Sequence, residues 1–128
     1  SLMGVTFSFP MHQWSLNSGK LLRWNKGFAV PGCVGEDVAV MINEGMAKCG
    51  LPFRVGSLVN DTVAVVLAAS YEHGLNVRIG AVLGTGFNAA YWETKAAVPK
   101  LAPDIYAARM ETIVNTEMGG MPVELSEI

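Results

Sequence analysis

Cysteine and histidine are scarce in this chain, charge is thin, and no apolar run is long. The two cysteines, Cys33 and Cys49, and the two histidines, His12 and His73, lie far apart. Zinc sites gather such residues in close pairs, so no metal ligand set is expected. Two thiols without a disulfide-type framework point to a reduced, cytoplasmic chain. No stretch approaches the roughly 18–20 apolar residues of a membrane span. The first residues have neither the basic start nor the apolar core of an export signal, so no membrane partner is expected. With 9 Lys+Arg against 11 Asp+Glu there is no basic field to hold nucleic acid. Lys20, Arg23 and Lys26 lie close together, but so few cations read as a solvated face. Repeats and low-complexity tracts are absent.

What is present is an apolar share of 51% against 16% charged residues, the balance of a globular interior rather than a disordered chain. A length of 128 residues suits one domain or a slice of something larger. The chain opens on Ser1 and its first methionine is Met3. That start is expected of a segment cut from a longer chain, or of a residue left by a cleaved tag.

Residues 5–9 alternate apolar and polar side chains and predict a strand, which Pro10 ends because it offers no N–H. Asn17-Ser18-Gly19 predicts a turn into a second strand near 20–24. Over 36–49 the period becomes helical, with Val38, Ile42 and Met46 on one stripe and Met41 and Cys49 beside it. Glu36 and Asp37 are expected in the first turn, Lys48 in the last, and Gly50 just beyond it. A strand over 54–59 should lead through Asn60-Asp61-Thr62 into a helix over 63–72, whose Ala and Val on all sides predict a buried element. A strand over 77–83 should turn back at Gly84-Thr85-Gly86 as 89–93, forming a hairpin. After a loop with Pro99 and Pro103, a last strand is expected near 112–116. Strands alternating with helices make the fold class α/β. Polar residues collect where strands end, at Ser8, Asn60, Asp61, Thr85, Asn88 and Glu117, where open α/β sheets commonly bind ligands.

Five separated segments, in order, resemble the hexokinase family. They are Thr6-Phe7-Ser8-Phe9-Pro10, the run Leu22-Arg23-Trp24-Asn25-Lys26-Gly27-Phe28, and Val59-Asn60-Asp61-Thr62-Val63, followed by Gly84-Thr85-Gly86-Phe87-Asn88 and Asn115-Thr116-Glu117. The run from Gly32 to Val38 is also hexokinase-like. The resemblance implies the two-lobed fold shared with actin and the Hsp70 ATPase, of the ribonuclease H-like kind. Residues 1–60 would belong to the small lobe and carry sugar contacts. Residues 61–128 would start the large lobe, with the base and a phosphate turn. It implies transfer of the ATP γ-phosphoryl group to the 6-hydroxyl of a hexose, assisted by Mg2+. Ser8, Phe9, Pro10, Asn25, Lys26, Asn60, Asp61, Asn88 and Glu117 match its sugar-site positions. Asp61 matches its catalytic base, and Gly84, Thr85 and Gly86 match its phosphate turn.

The residue types suit those roles. A hexose offers hydroxyls that both donate and accept, so amides, a carboxylate and a cation grip it well. A carboxylate at Asp61 can take the proton of an attacking hydroxyl. Each feature also has a plainer reading. Asp61 or Asn60 would cap the following helix, and the glycines would merely turn a hairpin. Lys26 would be a surface lysine, and Trp14, Trp24 and Trp92 read as packing residues.

Asn25 stands where the family shows Thr, Phe87 replaces a small polar residue, and Met118-Gly119-Gly120 departs from a Trp-Gly pattern. The family's glycine-rich phosphate loop with its Asp and its adenosine-binding segment have no counterpart here. The 128 residues alone are therefore expected to be inactive, and exposed sheet edges would favour self-association. The other reading is a non-catalytic, hexokinase-like protein that senses sugar or regulates a partner.

Overall fold

The computed structural model describes residues 1–84, 86–100 and 110–120, apart from the side chain of Leu75. Thr85 and Pro103 therefore lie outside the described residues. Two compact units divide the chain, Ser1–Asp61 and Thr62–Ile128.

In the first unit, β1 (Leu2–Thr6) pairs in parallel with β4 (Arg54–Val59). The Phe7 N–H continues the ladder by donating to the Val59 carbonyl at 2.8 Å. The first strand thus lies nearer the N-terminus than the 5–9 alternation predicts. Its pairing is set by β4, which side-chain alternation does not report. A bulge interrupts the register after Met3, where Gly56 is the extra residue on β4. A Cβ on Gly56 would stand 3.2 Å from the Leu2 side chain.

Between these strands run a hairpin and a helix. The hairpin is β2 (Met11–Ser15) against β3 (Ser18–Leu21), turning at Leu16-Asn17 rather than at 17–19. β3 consequently ends at Leu21 instead of reaching Trp24, and β2 had no counterpart among the expected elements. Its polar-rich Met11-His12-Gln13-Trp14-Ser15 lacks a strand's alternation. The hairpin is fastened from outside: Gln13 Nε2 donates to the Leu58 carbonyl at 2.6 Å, and the Leu58 N–H to the Leu16 carbonyl at 2.8 Å.

Helix α1 spans Val38–Lys48. Asp37 is not in its first turn but caps it, accepting from the N–H groups of Ala39 at 2.8 Å and Val40 at 3.1 Å. Glu36 stays outside, its carbonyl accepting from the Leu21 N–H. The far end is as expected. Gly50 has φ 67°, its N–H bonds the Ala47 carbonyl, and the Leu51 N–H reaches back to the Met46 carbonyl, a Schellman closure. Asn43 Oδ1 accepts from the Val55 N–H at 2.8 Å and ties the helix to β4. The core of this unit is Leu21, Val38, Ala39, Val55 and Leu58, with Met3, Val5, Phe7, Met11 and Ile42 against it.

In the second unit, β5 (Ile79–Leu83), β6 (Phe87–Thr94) and β7 (Glu111–Asn115) form an antiparallel sheet in that order. A 3-10 turn over Gly74–Asn76 shortens the expected 77–83 strand at its start. Helix α2 runs Asp61–His73, so Asp61 is its first residue and most of it lies in this unit. It meets the sheet at Gly80, where a Cβ would come within 2.8 Å of Val66 Cγ2. Gly80 pairs with Ala90, and Ala89 and Ala90 are buried, so small side chains let helix and sheet approach. The helix is not buried throughout, as its composition predicts. Thr62 and Val66 are, whereas Val65, Leu67 and Tyr71 are exposed. A helix covered by one layer can bury only one stripe, whatever its other faces carry. No helix among the described residues is long and apolar enough to cross a membrane.

Candidate functional site

The sequence-predicted site residues fall into two groups, one in each unit. In the first, the chain leaves β1 at Thr6 and brings Ser8 to the end of β4. There the Ser8 hydroxyl donates to Asp61 Oδ2 at 2.7 Å, across 53 residues of sequence. Asn60, half-buried, joins β4 to Asp61. Lys26 Nζ donates to the Ser8 carbonyl at 3.1 Å and lies 5.6 Å from the centre of the Phe9 ring. Ser8, Lys26 and Asp61 are thus brought together.

The local fold explains how Lys26 gets there. Asn25 to Phe28 is a tight turn closed by the Phe28 N–H on the Asn25 carbonyl at 3.0 Å. Both central residues have positive φ, Lys26 at 55° and Gly27 at 77°. Gly27 adopts this readily, whereas a lysine there is uncommon. Aromatic packing braces the turn: the Phe9 ring meets Trp24 edge-on at 4.8 Å and Phe28 at 5.1 Å, and Trp24 Nε1 donates to the Val30 carbonyl. Phe9 thus contributes a packed ring, and the Pro10 carbonyl accepts from the Leu22 N–H. Asn25 is exposed. Of the tryptophans read as packing residues, Trp24 packs as expected and Trp92 reaches Ser70 Oγ at 3.4 Å. Trp14 is 43% exposed and meets the His12 ring at 6.1 Å.

In the second unit, Asn88 is near the start of β6 and Glu117 just beyond β7. Ala90 stands opposite Asn115 in the ladder, so continuing that register sets Asn88 across from Glu117. Asn88 Nδ2 donates to Thr62 Oγ1 at 2.9 Å and Asn115 Oδ1 at 2.8 Å, with Glu117 Oε1 more distant at 3.4 Å. Asn88 Oδ1 accepts from the Ala89 N–H. Asn115 Nδ2 in turn donates to Glu117 Oε1 at 2.7 Å. Glu117 has φ 49° and is, with Lys26, one of two non-glycine residues at positive φ among the described residues. Of the Met118-Gly119-Gly120 run, Gly119 keeps the glycine of the Trp-Gly pattern, and nothing in the structure explains Met118. Gly119 lies against the Phe87 backbone, where a Cβ would be 3.0 Å from the carbonyl carbon and collide with its oxygen.

Gly84 and Gly86 join β5 to β6, the Gly84 N–H donating to the Gly86 carbonyl at 2.9 Å. The hairpin reading of these glycines is therefore correct as far as the backbone goes. Among the described residues packing does not demand them, since a Cβ on Gly84 would meet only the Gly86 oxygen at 4.0 Å, and one on Gly86 nothing within 4 Å.

Neither Thr62 nor Asn115 was assigned a role from the sequence. The period-two spacing of Asn115 and Glu117, which puts both on one face of a strand, was the available signal.

The fold is the mixed helix-and-strand architecture of hexokinases. In solved structures it is similar to the glucose-complexed hexokinase of Schistosoma mansoni, with a TM-score of 0.77 and 33% identity over 91% of this chain and 25% of that one. Residues 1–71 match one hexokinase family model and residues 78–127 a second. Chloroplastic hexokinase-2 of Nicotiana tabacum is 48% identical over 94% of this chain and 25% of its own length. Aspergillus niger glucokinase is 40% identical over 97% of this chain and 26% of its own. The chain belongs to the hexokinase family, and it spans about a quarter of the length of these relatives.

Proposed function

We propose that these residues supply the sugar grip and the catalytic base of a kinase that transfers the γ-phosphoryl group of ATP to the 6-hydroxyl of a hexose. The observation that carries this is the coincidence of strain and chemistry. Among the described residues, the two non-glycine side chains at positive φ are Lys26 and Glu117, both at sugar-site positions. Such backbone costs about 1–3 kcal/mol and persists where the surrounding fold imposes it, commonly at ligand sites. Family membership and the glucose bound in the Schistosoma mansoni relative support a hexose as substrate.

In this reading Asp61 accepts the proton of the 6-hydroxyl as the new O–P bond forms. The Ser8 hydroxyl donates to one of its carboxylate oxygens, Oδ2, and so helps orient the group. Lys26, Asn25, Asn60, Asn88 and Glu117 supply the hydroxyl-pairing groups that the family resemblance assigns to the sugar, with Phe9 and Pro10 shaping the loop that carries Ser8. A site of this kind rejects analogues lacking a hydroxyl, since its own polar groups would be left unpaired.

For the nucleotide, the open turn at Gly84 and Gly86 fits a phosphate approaching bare backbone, and ATP would supply the transferred group. Thr85, assigned to the same turn, lies outside the described residues. Among the described residues no three His, Cys, Asp or Glu side chains gather as a metal site, and Mg2+ would be held largely by the nucleotide phosphates. A cytoplasmic setting belongs to the same proposal. The tobacco relative is named chloroplastic, and imaging of the tagged full natural chain decides between the two.

The test is Asp61→Asn in the full natural chain. Loss of general-base catalysis should lower kcat by roughly 10²–10⁴-fold. Hexose affinity by calorimetry should stay within a few-fold. Unchanged kcat would remove Asp61 from the chemistry.

A further inference from the structure

Hydroxyl grip by Asn88 and Glu117 requires that each present the correct atom at a fixed angle. A free Asn amide can flip end for end, and an exposed Glu samples many rotamers. In this chain neither is left to chance. Asn88 Nδ2 faces acceptors at Thr62 Oγ1 and Asn115 Oδ1, while its Oδ1 faces the Ala89 N–H, so only one amide orientation satisfies all three. Asn115 is the hinge of the arrangement, because it accepts from Asn88 with one end and donates to Glu117 with the other, at 2.8 and 2.7 Å. Thr62 is 1% exposed, so its hydroxyl is anchored in the packed start of α2.

We infer that Asn115, seconded by Thr62, is a positioning residue that locks the Asn88 amide and the Glu117 carboxylate in their sugar-gripping orientations. The inference rests on the sugar-site reading above. A residue acting this way touches no substrate itself; it sets how the residues that do are presented, and so should govern sugar affinity more than the chemical step.

Asn115→Asp keeps the size and the acceptor but cannot donate to Glu117, and it sets a second negative charge beside it. In the full natural chain, hexose KM should rise roughly tenfold or more, the scale of losing a hydrogen bond to a charged group. The change in kcat should be several-fold smaller. The effect should also be less than multiplicative with Glu117→Gln, since Asn115 acts through Glu117. Should Asn115→Asp fail to fold, Thr62→Val and Thr62→Ser decide. Valine should raise KM, and serine, which restores the hydroxyl, should bring it back. A kcat loss equal to the KM rise, full multiplicativity with Glu117→Gln, or equal KM for Thr62→Val and Thr62→Ser would overturn the inference. Glu117→Gln and Asn88→Ala measured alongside separate the two levels. If neither raises hexose KM, the sugar-site reading itself fails; if both do and the Asn115 and Thr62 variants do not, only the positioning role fails.

Discussion

Asp37 shows how several small contacts act on one carboxylate. Burial works to raise its pKa, but the Ser18 hydroxyl and the N–H groups of Val40, Ala39 and Gly19 outweigh that and hold it below the ordinary value. The Ser18 hydroxyl donates to Oδ2, while Oδ1 takes the helix N–H groups. A depressed carboxylate pKa means that the folded chain prefers the ionised form. Its stabilising share is fully present above the unfolded value of about 3.9 and is lost as pH falls from there through the lower folded value. Thermal unfolding should therefore show Asp37→Asn matching the unsubstituted chain more closely below about pH 4 than at pH 6. Asp37→Ala, which removes the cap, should cost about 1 kcal/mol at neutral pH. Lys26 and Glu117 pose a different case at the same scale, each holding left-handed backbone beside a local turn bond, Phe28 N–H to the Asn25 carbonyl and Gly120 N–H to the Glu117 carbonyl. The Phe9–Trp24–Phe28 cluster lies beside Lys26, and the close approach of Gly119 to the Phe87 backbone lies beside Glu117.

At the scale of elements, the tightest fit is α2 on its sheet. With a Cβ on Gly80 only 2.8 Å from Val66 Cγ2 and 3.1 Å from the Val66 nitrogen, a larger residue must push helix and strand apart. Gly80→Val should destabilise the second unit by about 1–3 kcal/mol, read by urea unfolding followed through Trp92, which lies on the paired strand. An unchanged midpoint would mean that the helix shifts freely. Helix α1 behaves differently. Its start and its end are both written locally, by Asp37 and Gly50, and its pattern was legible before any fold was known. β4 was legible too, over Arg54–Val59, because a short β-branched and apolar run sits between Pro52 and Asn60. β2 was not, since its strand character comes from a partner and from the Gln13 bond to Leu58 rather than from its own residues.

At the scale of the whole molecule, the chain carries many large apolar side chains on its surface. Leu83 is 82% exposed and Ile79 64%, both on the outer strand β5, and Leu2 is 80% exposed on β1. Unpaired strand edges with apolar side chains favour association. Sedimentation of the 128-residue chain should show concentration-dependent self-association. In a coupled assay with ATP and glucose that chain should show no turnover, because phosphoryl transfer relies on positioning and charge neutralisation and these residues span about a quarter of the relatives' length. Measurable turnover would overturn this expectation and require a nucleotide site within the chain.

The sequence by itself determined the α/β class, the body of helix α1 and its stop, strand β4, the glycine hairpin and the hexokinase membership, because each is carried by neighbouring residues or short ordered motifs. Only the tertiary structure decided that Ser8 meets Asp61, that Asn115 links Asn88 to Glu117, and that Lys26 and Glu117 take left-handed backbone. Those contacts join residues separated along the chain, or depend on packing imposed from outside the turn. Local propensity is blind to both, since a side chain's partner is chosen by how strands register and helices dock.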